Sequence, residues 1–106
     1  MTEMGEFNGY WRTTWMEAWE TEYIDMEEPG YFLIGDDHGH FVFGTVRGDL
    51  DARKPSGNRL EFSWAGQCEF DEMNGRGWLE LEQNGVAEGR IFIHFGDESD
   101  IRLEKA

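Results

Sequence analysis

The sequence predicts an all-β fold, a single up-and-down antiparallel barrel or strongly curved sheet of seven to eight strands. Two observations carry this prediction. Short runs of aromatic and β-branched residues recur along the chain, and Gly, Asn, Asp and Pro separate them at regular intervals. With 106 residues, the chain has the length of one domain, which we expect to span residues 1–106.

The predicted strands are bounded by turn-forming sequences. They cover Phe7–Trp19, Tyr31–Gly35, His40–Arg53, Arg59–Gly66, Arg76–Gln83, Val86–Phe95 and Asp100–Glu104. The segments between them read MEEPG, GDDHG, KPSGN, FDEMNG, QNG and GDES, which are rich in residues that favour turns. This spacing is typical of a meander in which each strand pairs with the next.

The first strand contains two competing periodicities. Trp15, Trp19 and Tyr23 lie four residues apart, which is helical spacing, and the neighbouring Glu, Ala and Met favour a helix. The tryptophans from Trp11 to Trp19 also fall on alternate positions, as in a strand. We therefore expect a strand through Trp19, followed by a helical turn at Glu20–Asp25 that ends before the Pro-Gly pair.

The QNG turn predicts which residues face each other across a hairpin. A two-residue turn at Asn84–Gly85 would place Leu79 opposite Arg90 and mix apolar with charged side chains. A type I turn through Gln83 and Asn84 with a left-handed Gly85 shifts the register by one residue. One face is then formed by Leu79, Leu81, Ala87, Ile91, Ile93 and Phe95. The other carries Arg76, Trp78, Glu80, Glu88, Arg90, Phe92 and His94, with Trp78 against Arg90 within reach of a cation–π interaction.

Composition excludes several classes of function. Nine basic and 23 acidic residues give a net charge of −14, which opposes binding to nucleic acid and to anionic membranes. The lone Cys68 cannot form an intrachain disulfide, and the N-terminus lacks the basic start and apolar run of a signal peptide. We expect a cytoplasmic protein, and no motif predicts a cofactor.

Two sets of motifs resemble known families. Gly9-Tyr10-Trp11, at the head of the first strand, resembles the Gly-x-Trp start of the calycins, the group of lipocalin, fatty-acid-binding and avidin barrels. The resemblance implies a calycin-like barrel in which an arginine of the last strand, here Arg102, packs on Trp11. The chain is shorter than a typical lipocalin.

A second resemblance covers most of the chain. Glu61-Phe62-Ser63-Trp64-x-Gly66, Gly75-Arg76-Gly77-Trp78 and His94-x-Gly96-Asp97-x-Ser99 are similar to the blocks of a family of small uncharacterised bacterial proteins. Ala65 departs from the acidic residue expected at its position. The resemblance implies the fold and names positions, but it implies no activity.

The segment RIFIHFGDES combines a histidine, an aspartate and a serine within six residues. In a strand, His94 points to the same face as Trp78, while Asp97 and Ser99 follow in a turn where their side chains bond to the backbone. A nucleophilic serine needs a base and an oxyanion site, and no strand-turn-helix elbow exposes Ser99. We expect a structural turn with His94 bonded to Asp97, and no catalytic residue.

Other polar clusters favour structural interpretations. Asp36, Asp37, His38 and His40 suggest a metal, but zinc sites usually need three or four ligands fixed by neighbouring groups, so we interpret this segment as an exposed loop and predict no metal site. Glutamates could also act as a general acid and base. With 23 acidic residues, however, neighbouring carboxylates are expected from composition alone. We therefore place most of them on solvated strand faces, including Glu61, Glu80, Glu82 and Glu88.

The five tryptophans suggest a binding surface as well as a core, because flat aromatic rings at a barrel mouth suit an apolar or cyclic ligand. We predict a non-enzymatic, ligand-binding barrel whose site involves Trp15, Trp64, Trp78, Arg76, Arg90 and His94. Arginines on one strand face of an acidic protein favour an anionic or polar ligand.

Two alternatives remain open. The first is a structural or interaction domain that acts through homo-oligomerisation or a basic partner, using an exposed sheet edge or an aromatic patch. The second is an enzyme that depends on His94 or Asp97, which we rank below both the ligand-binding and the interaction hypotheses.

Overall fold

Eight antiparallel strands form a closed barrel in which each strand pairs with its neighbours in sequence. The structure, a computed structural model, describes residues 5–36 and 38–106. The strands are β1 (Gly9–Met16), β2 (Tyr31–Ile34), β3 (Gly39–Phe43), β4 (Val46–Ala52), β5 (Arg59–Cys68), β6 (Asp71–Leu81), β7 (Val86–Ile93) and β8 (Glu98–Lys105). A 3₁₀ turn at Gly5–Phe7 precedes β1, and the helix α1 (Thr21–Ile24) follows it. The predicted all-β, up-and-down architecture is confirmed.

The barrel closes where the first strand meets the last. Trp11 pairs with Lys105 and Met16 with Ile101, so β1 and β8 run antiparallel. The register shifts between Thr13 and Trp15, which marks a bulge. Each of the eight strands therefore has two neighbours, and within residues 5–36 and 38–106 no strand lies at a free edge of the sheet.

The first predicted strand is shorter than expected. It ends at Met16, and the helical turn predicted at Glu20–Asp25 forms α1. Trp19 lies between the two, where its ring packs 4.9 Å from that of Phe43. Within the described residues, no helix has the length and apolar character needed to cross a membrane.

The predicted strand His40–Arg53 is two strands. The chain reverses at Gly44, whose φ of +57° is in the left-handed region that favours glycine. The amide of Gly44 donates to the Ile24 carbonyl oxygen, and a Cβ at this position would lie 2.2 Å from the Tyr23 ring. The sequence prediction missed this turn because its flanks, Phe43 and Val46, are apolar.

The predicted register of the β6–β7 hairpin is confirmed, since Leu79 pairs with Gly89 and Trp78 with Arg90. The turn itself differs, because both Asn84 and Gly85 have positive φ values of 62° and 72°. A type I turn at Asn84 is therefore wrong, although Gly85 is left-handed as predicted.

Two boundaries in this half of the barrel are also corrected. The segment FDEMNG, predicted as a turn, contains the start of β6 at Asp71. Phe95, predicted on the apolar face, is 98% exposed. The reason is that β7 ends at Ile93 and the backbone reverses at Phe95, whose φ is +60°.

Aromatic side chains fill the barrel interior. The Phe41 ring lies 5.0 Å from that of Phe32, 5.8 Å from Phe43 and 5.1 Å from Trp64, measured between centroids. All four are at most 3% exposed. Inward-facing side chains of β5 to β8 complete the core with Leu60, Phe62, Leu79, Ala87, Ile91, Ile101 and Leu103.

Inward-facing glycines let the strands bend around this core. A Cβ on Gly66 of β5 would lie 1.8 Å from the carbonyl oxygen of Arg47 on β4, far inside van der Waals contact. The same distance separates a Cβ on Gly75 of β6 from the carbonyl oxygen of Phe92 on β7. Neighbouring backbones therefore approach more closely than any side chain would allow.

We expect Gly66→Ala to lower the free energy of unfolding by about 2 kcal/mol or more, because the new methyl group overlaps backbone that only a strand shift can relieve. Urea denaturation measures this change. Ser63→Ala, at an exposed position of the same strand, is the control and should stay within about 0.5 kcal/mol of wild type. Equal stabilities of the two variants would contradict the close approach.

Candidate functional site

The outer face of β5, β6 and β7 brings together several of the predicted ligand-binding residues. Trp78 lies on β6 between Glu61 of β5 and Arg90 of β7. One pair of positions along, Arg76 lies between Ser63 and Phe92. These side chains point outward, because their strand neighbours Gly77 and Leu79 face the core.

Arginine and aromatic side chains stack on this face. The guanidinium carbon of Arg59 lies 4.2 Å from the centre of the Trp78 ring, and that of Arg76 lies 4.2 Å from the centre of the Phe92 ring. Arg90, predicted to stack on Trp78, lies instead 5.7 Å from the Phe92 ring. The cation over Trp78 is therefore Arg59, from the other neighbouring strand.

Two shallow depressions meet on this surface and share Arg76 and Phe92. The first is also bordered by Arg53, Arg59, Ser63 and Trp78, and the second by Asn74, His94 and Phe95. We call the combined surface the arginine–aromatic groove and define it by Arg53, Arg59, Arg76, Trp78, Phe92 and His94.

The arginines of this groove differ in their partners. Arg59 is held by Glu80 at 2.9 Å and by Glu61 at 3.3 Å. Arg53 and Arg76 are exposed and form no ion pair with any carboxylate in residues 5–36 and 38–106. In a chain of net charge −14, these two cations are available to an anion from solution.

Arg90 is occupied by the protein itself. Its guanidinium contacts Asp100 at 2.5 Å, Glu98 at 3.0 Å and Glu17 at 3.5 Å. Hydrogen bonds to Glu98 and Asp100 raise the pKa of Arg90 above its usual value, so it is charged at every accessible pH. Arg90 therefore ties β7 to β8 and to the segment after β1.

Trp64 lies inside the barrel, on the opposite side of the sheet from the groove. It is 3% exposed, and its Nε1 donates a 3.2 Å hydrogen bond to the Phe92 carbonyl oxygen. A Cβ on Gly75, between the two strands, would lie 2.9 Å from that nitrogen. Trp64 thus fixes the backbone beneath Phe92 without reaching the groove.

Trp15 is also separated from the groove. It lies on the outer face of β1 opposite Arg102 of β8, and β7 and β8 stand between it and Trp78. It is 49% exposed. The structure therefore brings Trp78, Arg76 and His94 together and places Trp15 and Trp64 elsewhere. Arg90 adjoins Trp78 and Phe92 on the same face, but its guanidinium is bound to three carboxylates.

The turn after β7 has a different bonding pattern from the one predicted. The amide of Ile93 donates to the Asp97 carbonyl oxygen, and the His94 ring packs 4.0 Å from the Phe95 ring. No hydrogen bond joins the side chains of His94 and Asp97, both of which are within the described residues, so that predicted pair is wrong. Ser99 is buried, accepts from the Ala18 amide and donates to the Asp100 carbonyl oxygen.

The cation that packs on Trp11 also differs from the expectation. Arg102 bonds to Glu88 at 2.8 Å, whereas the Nζ atom of Lys105 lies 4.7 Å from the Trp11 ring centre. Lys105 also donates to the carbonyl oxygens of Glu6 and Asn8. A cation of the last strand packs on this tryptophan, but it is a lysine three residues beyond Arg102.

The GDDHGH segment forms no metal-binding cluster among the described residues, and Asp37 lies outside them. The Nε2 atom of His40 hydrogen-bonds to the Tyr31 hydroxyl at 2.9 Å, and Asp36 accepts from the Asn8 side chain. His38 is exposed. These contacts are structural.

Burial raises the pKa of Tyr31, and the charge of Glu28 adds to the effect. Tyr31 also stacks on Tyr10, with ring centres 5.1 Å apart.

The sequence interpretation missed Arg53 and Arg59 as members of the groove. The signal was present, because pairing β5 with β6 places Glu61 opposite Trp78 and Arg59 two pairs further along, on the same face. The predicted register covered only the β6–β7 hairpin, whereas the cation over Trp78 comes from β5.

Comparison with protein-family models, with curated proteins and with solved structures finds no match to this chain.

We expect Arg90→Ala to lower the midpoint of thermal unfolding more than Arg102→Ala does. Arg90 neutralises three carboxylates, which would repel one another in its absence, whereas Arg102 pairs with Glu88 alone. Calorimetry at low and high salt measures the difference, which should shrink at high salt because the repulsion is screened. Equal midpoints at low salt would contradict the role assigned to Arg90.

Tyr31 should lose its proton above the usual tyrosine pKa of about 10. Because the folded-state pKa is raised, its contribution to stability is complete below pH 10 and is lost as the pH rises through the folded pKa. Absorbance titration of wild type minus Tyr31→Phe isolates this group. A difference curve centred at or below pH 10 would contradict its burial.

Proposed function

We propose that the protein is a non-enzymatic binding module for a small anionic ligand with a planar ring, held in the arginine–aromatic groove. The observation that carries this proposal is the position of Arg53 and Arg76, which pair with no carboxylate of the described residues, beside the rings of Trp78 and Phe92. Such a ligand needs a flat aromatic surface and a cation to bind, and this groove provides both.

The chemistry of the groove suits a carboxylate, sulfonate or phosphate attached to a ring. Guanidinium groups bind such anions through paired hydrogen bonds, and their planes also stack on aromatic rings. Arg59 keeps Trp78 covered from one side, and its two carboxylates leave it little capacity for a further anion. Arg76 and Arg53 are therefore the anion-binding groups in this proposal.

The filled interior supports an outer site. The space that a deep ligand cavity would need contains Phe32, Phe41, Phe62 and Trp64, each at most 4% exposed. A ring of the ligand would have to displace one of these packed side chains, at a cost of several kcal/mol of core packing.

We also propose that the barrel is related to the calycins. The Gly9-Tyr10-Trp11 start, the burial of Trp11 and the cation of the last strand over its ring support this relationship. The relationship to a family of small bacterial proteins stays a prediction, based on the sequence motifs that contain Phe62, Trp64 and Trp78. The cytoplasmic location likewise stays a prediction of the sequence.

The homo-oligomer alternative loses one of its two surfaces in this fold. A sheet edge is not available for pairing of whole strands, since each of the eight strands has two neighbours. The proposal of a ligand-binding groove therefore takes precedence over assembly through an edge strand.

Naphthalene sulfonate is a suitable test ligand because it has a planar ring and one negative charge. We expect Arg76→Ala to weaken its binding by about tenfold, as expected for one charge-assisted hydrogen bond, while leaving the affinity for uncharged naphthalene methanol unchanged. Isothermal calorimetry measures both affinities.

Arg47→Ala is the matched control, because Arg47 is also exposed on the outer face but pairs with Glu28 at 3.1 Å. It should bind naphthalene sulfonate as wild type does. Equal weakening in the two variants, or no weakening in Arg76→Ala, would contradict the groove as the anion site.

A further inference from the structure

Two phenylalanines are fully exposed at neighbouring hairpin ends. Phe70 is 100% exposed in the turn between β5 and β6, and Phe95 is 98% exposed in the turn between β7 and β8. Both turns lie at the same end of the barrel, because β6 runs antiparallel to β5 and to β7. Both side chains offer apolar area for a partner to bury.

A short stretch of unpaired strand connects these two turns. The last pair between β6 and β7 is Gly75 with Ile93, but β6 begins four residues earlier, at Asp71. In the part of the chain that the structure describes, Asp71–Met73 pair with β5 on one side only. We call this stretch the β6 edge.

The N–H and C=O groups of Glu72 in the β6 edge point to the side of β6 on which β7 lies. The amide of His94 donates to the Asn74 carbonyl oxygen, so Asn74 faces the line of β7. Because the hydrogen-bonding direction alternates along a strand, the N–H and C=O of Glu72 face the same way. They are therefore placed to pair with an added strand that continues the line of β7.

The surroundings of the β6 edge are strongly acidic. The edge and the two adjoining turns contain four carboxylates and no lysine or arginine: Glu69, Asp71, Glu72 and Asp97. Glu98 follows at the start of β8, where it pairs with Arg90. A second copy of this chain would place like charges opposite one another, and an anionic membrane surface would be repelled. An occupant must instead be basic.

We propose that the β6 edge binds an extended basic peptide segment of a protein partner, which adds a strand alongside Glu72. Its lysines or arginines lie against the carboxylates, and its apolar side chains contact Phe70 at one end and Phe95 at the other. Backbone hydrogen bonds supply affinity and the alternating side chains supply specificity, as in other cases of strand addition.

The test uses a fluorescein-labelled peptide of alternating lysine and leucine, followed by fluorescence anisotropy. The double variant Phe70→Ser, Phe95→Ser and the single variant Glu72→Lys should each bind it about tenfold more weakly than wild type, as expected when interface anchors are removed. Amide hydrogen exchange of the wild-type complex should show new protection at Glu72.

The control for charge is Glu82→Lys, which makes the same change just beyond the other end of β6, and the control for aromatic area is Trp15→Ser. Both should bind the lysine–leucine peptide as wild type does. Equal weakening by Glu82→Lys would overturn the proposal, because attraction would then depend on net charge alone. It would also be overturned by equal binding of a glutamate–leucine peptide, by binding of phosphatidylserine vesicles, or by unchanged exchange at Glu72.

Discussion

The packing of aromatic rings inside a narrow closed barrel is the constraint on which the other features depend. Phe41 contacts the rings of Phe32, Phe43 and Trp64, and such rings occupy far more volume than aliphatic side chains. The strands make room through inward-facing glycines, such as Gly77, where a Cβ would lie 2.5 Å from the Phe62 ring. The barrel can therefore close around these rings only because glycines replace larger side chains at the facing positions.

This constraint is the reason for proposing a binding site on the surface of the barrel. Since the interior is occupied, the ligand contacts that we propose lie on the outer face, where Trp78 and Phe92 are stacked against arginines. The core still influences that face, because Trp64 bonds through the gap left by Gly75 to the backbone of Phe92. The base of the groove is therefore held by a core side chain, while Arg53 and Arg76 above it have no carboxylate partner among the described residues.

Local patterns in the sequence were sufficient for the fold class and for the pairing of Trp78 with Arg90, because alternation and turn chemistry act between adjacent strands. They were not sufficient for contacts across the β5–β6 pair, or for contacts that form only when β8 pairs with β1 and closes the barrel. Arg59 reaches Trp78 across the β5–β6 pair, and Lys105 reaches Trp11 only after the last strand meets the first. Trp64 is a different case, because Leu60, Phe62 and Trp64 alternate with Glu61 and Ser63, and this local pattern already predicts that Trp64 faces the interior.

The measurement that tests the central claim most directly is fluorine NMR of the protein labelled with fluorotryptophan, titrated with naphthalene sulfonate. Four of its five tryptophans report separately on the interior, through Trp11 and Trp64, and on the outer face, through Trp15 and Trp78. We predict that the Trp78 resonance shifts while those of Trp11 and Trp64 stay in place. A shift of the Trp64 or Trp11 resonance with Trp78 unchanged would show that the ligand enters the barrel, and would contradict a filled interior with its binding site outside.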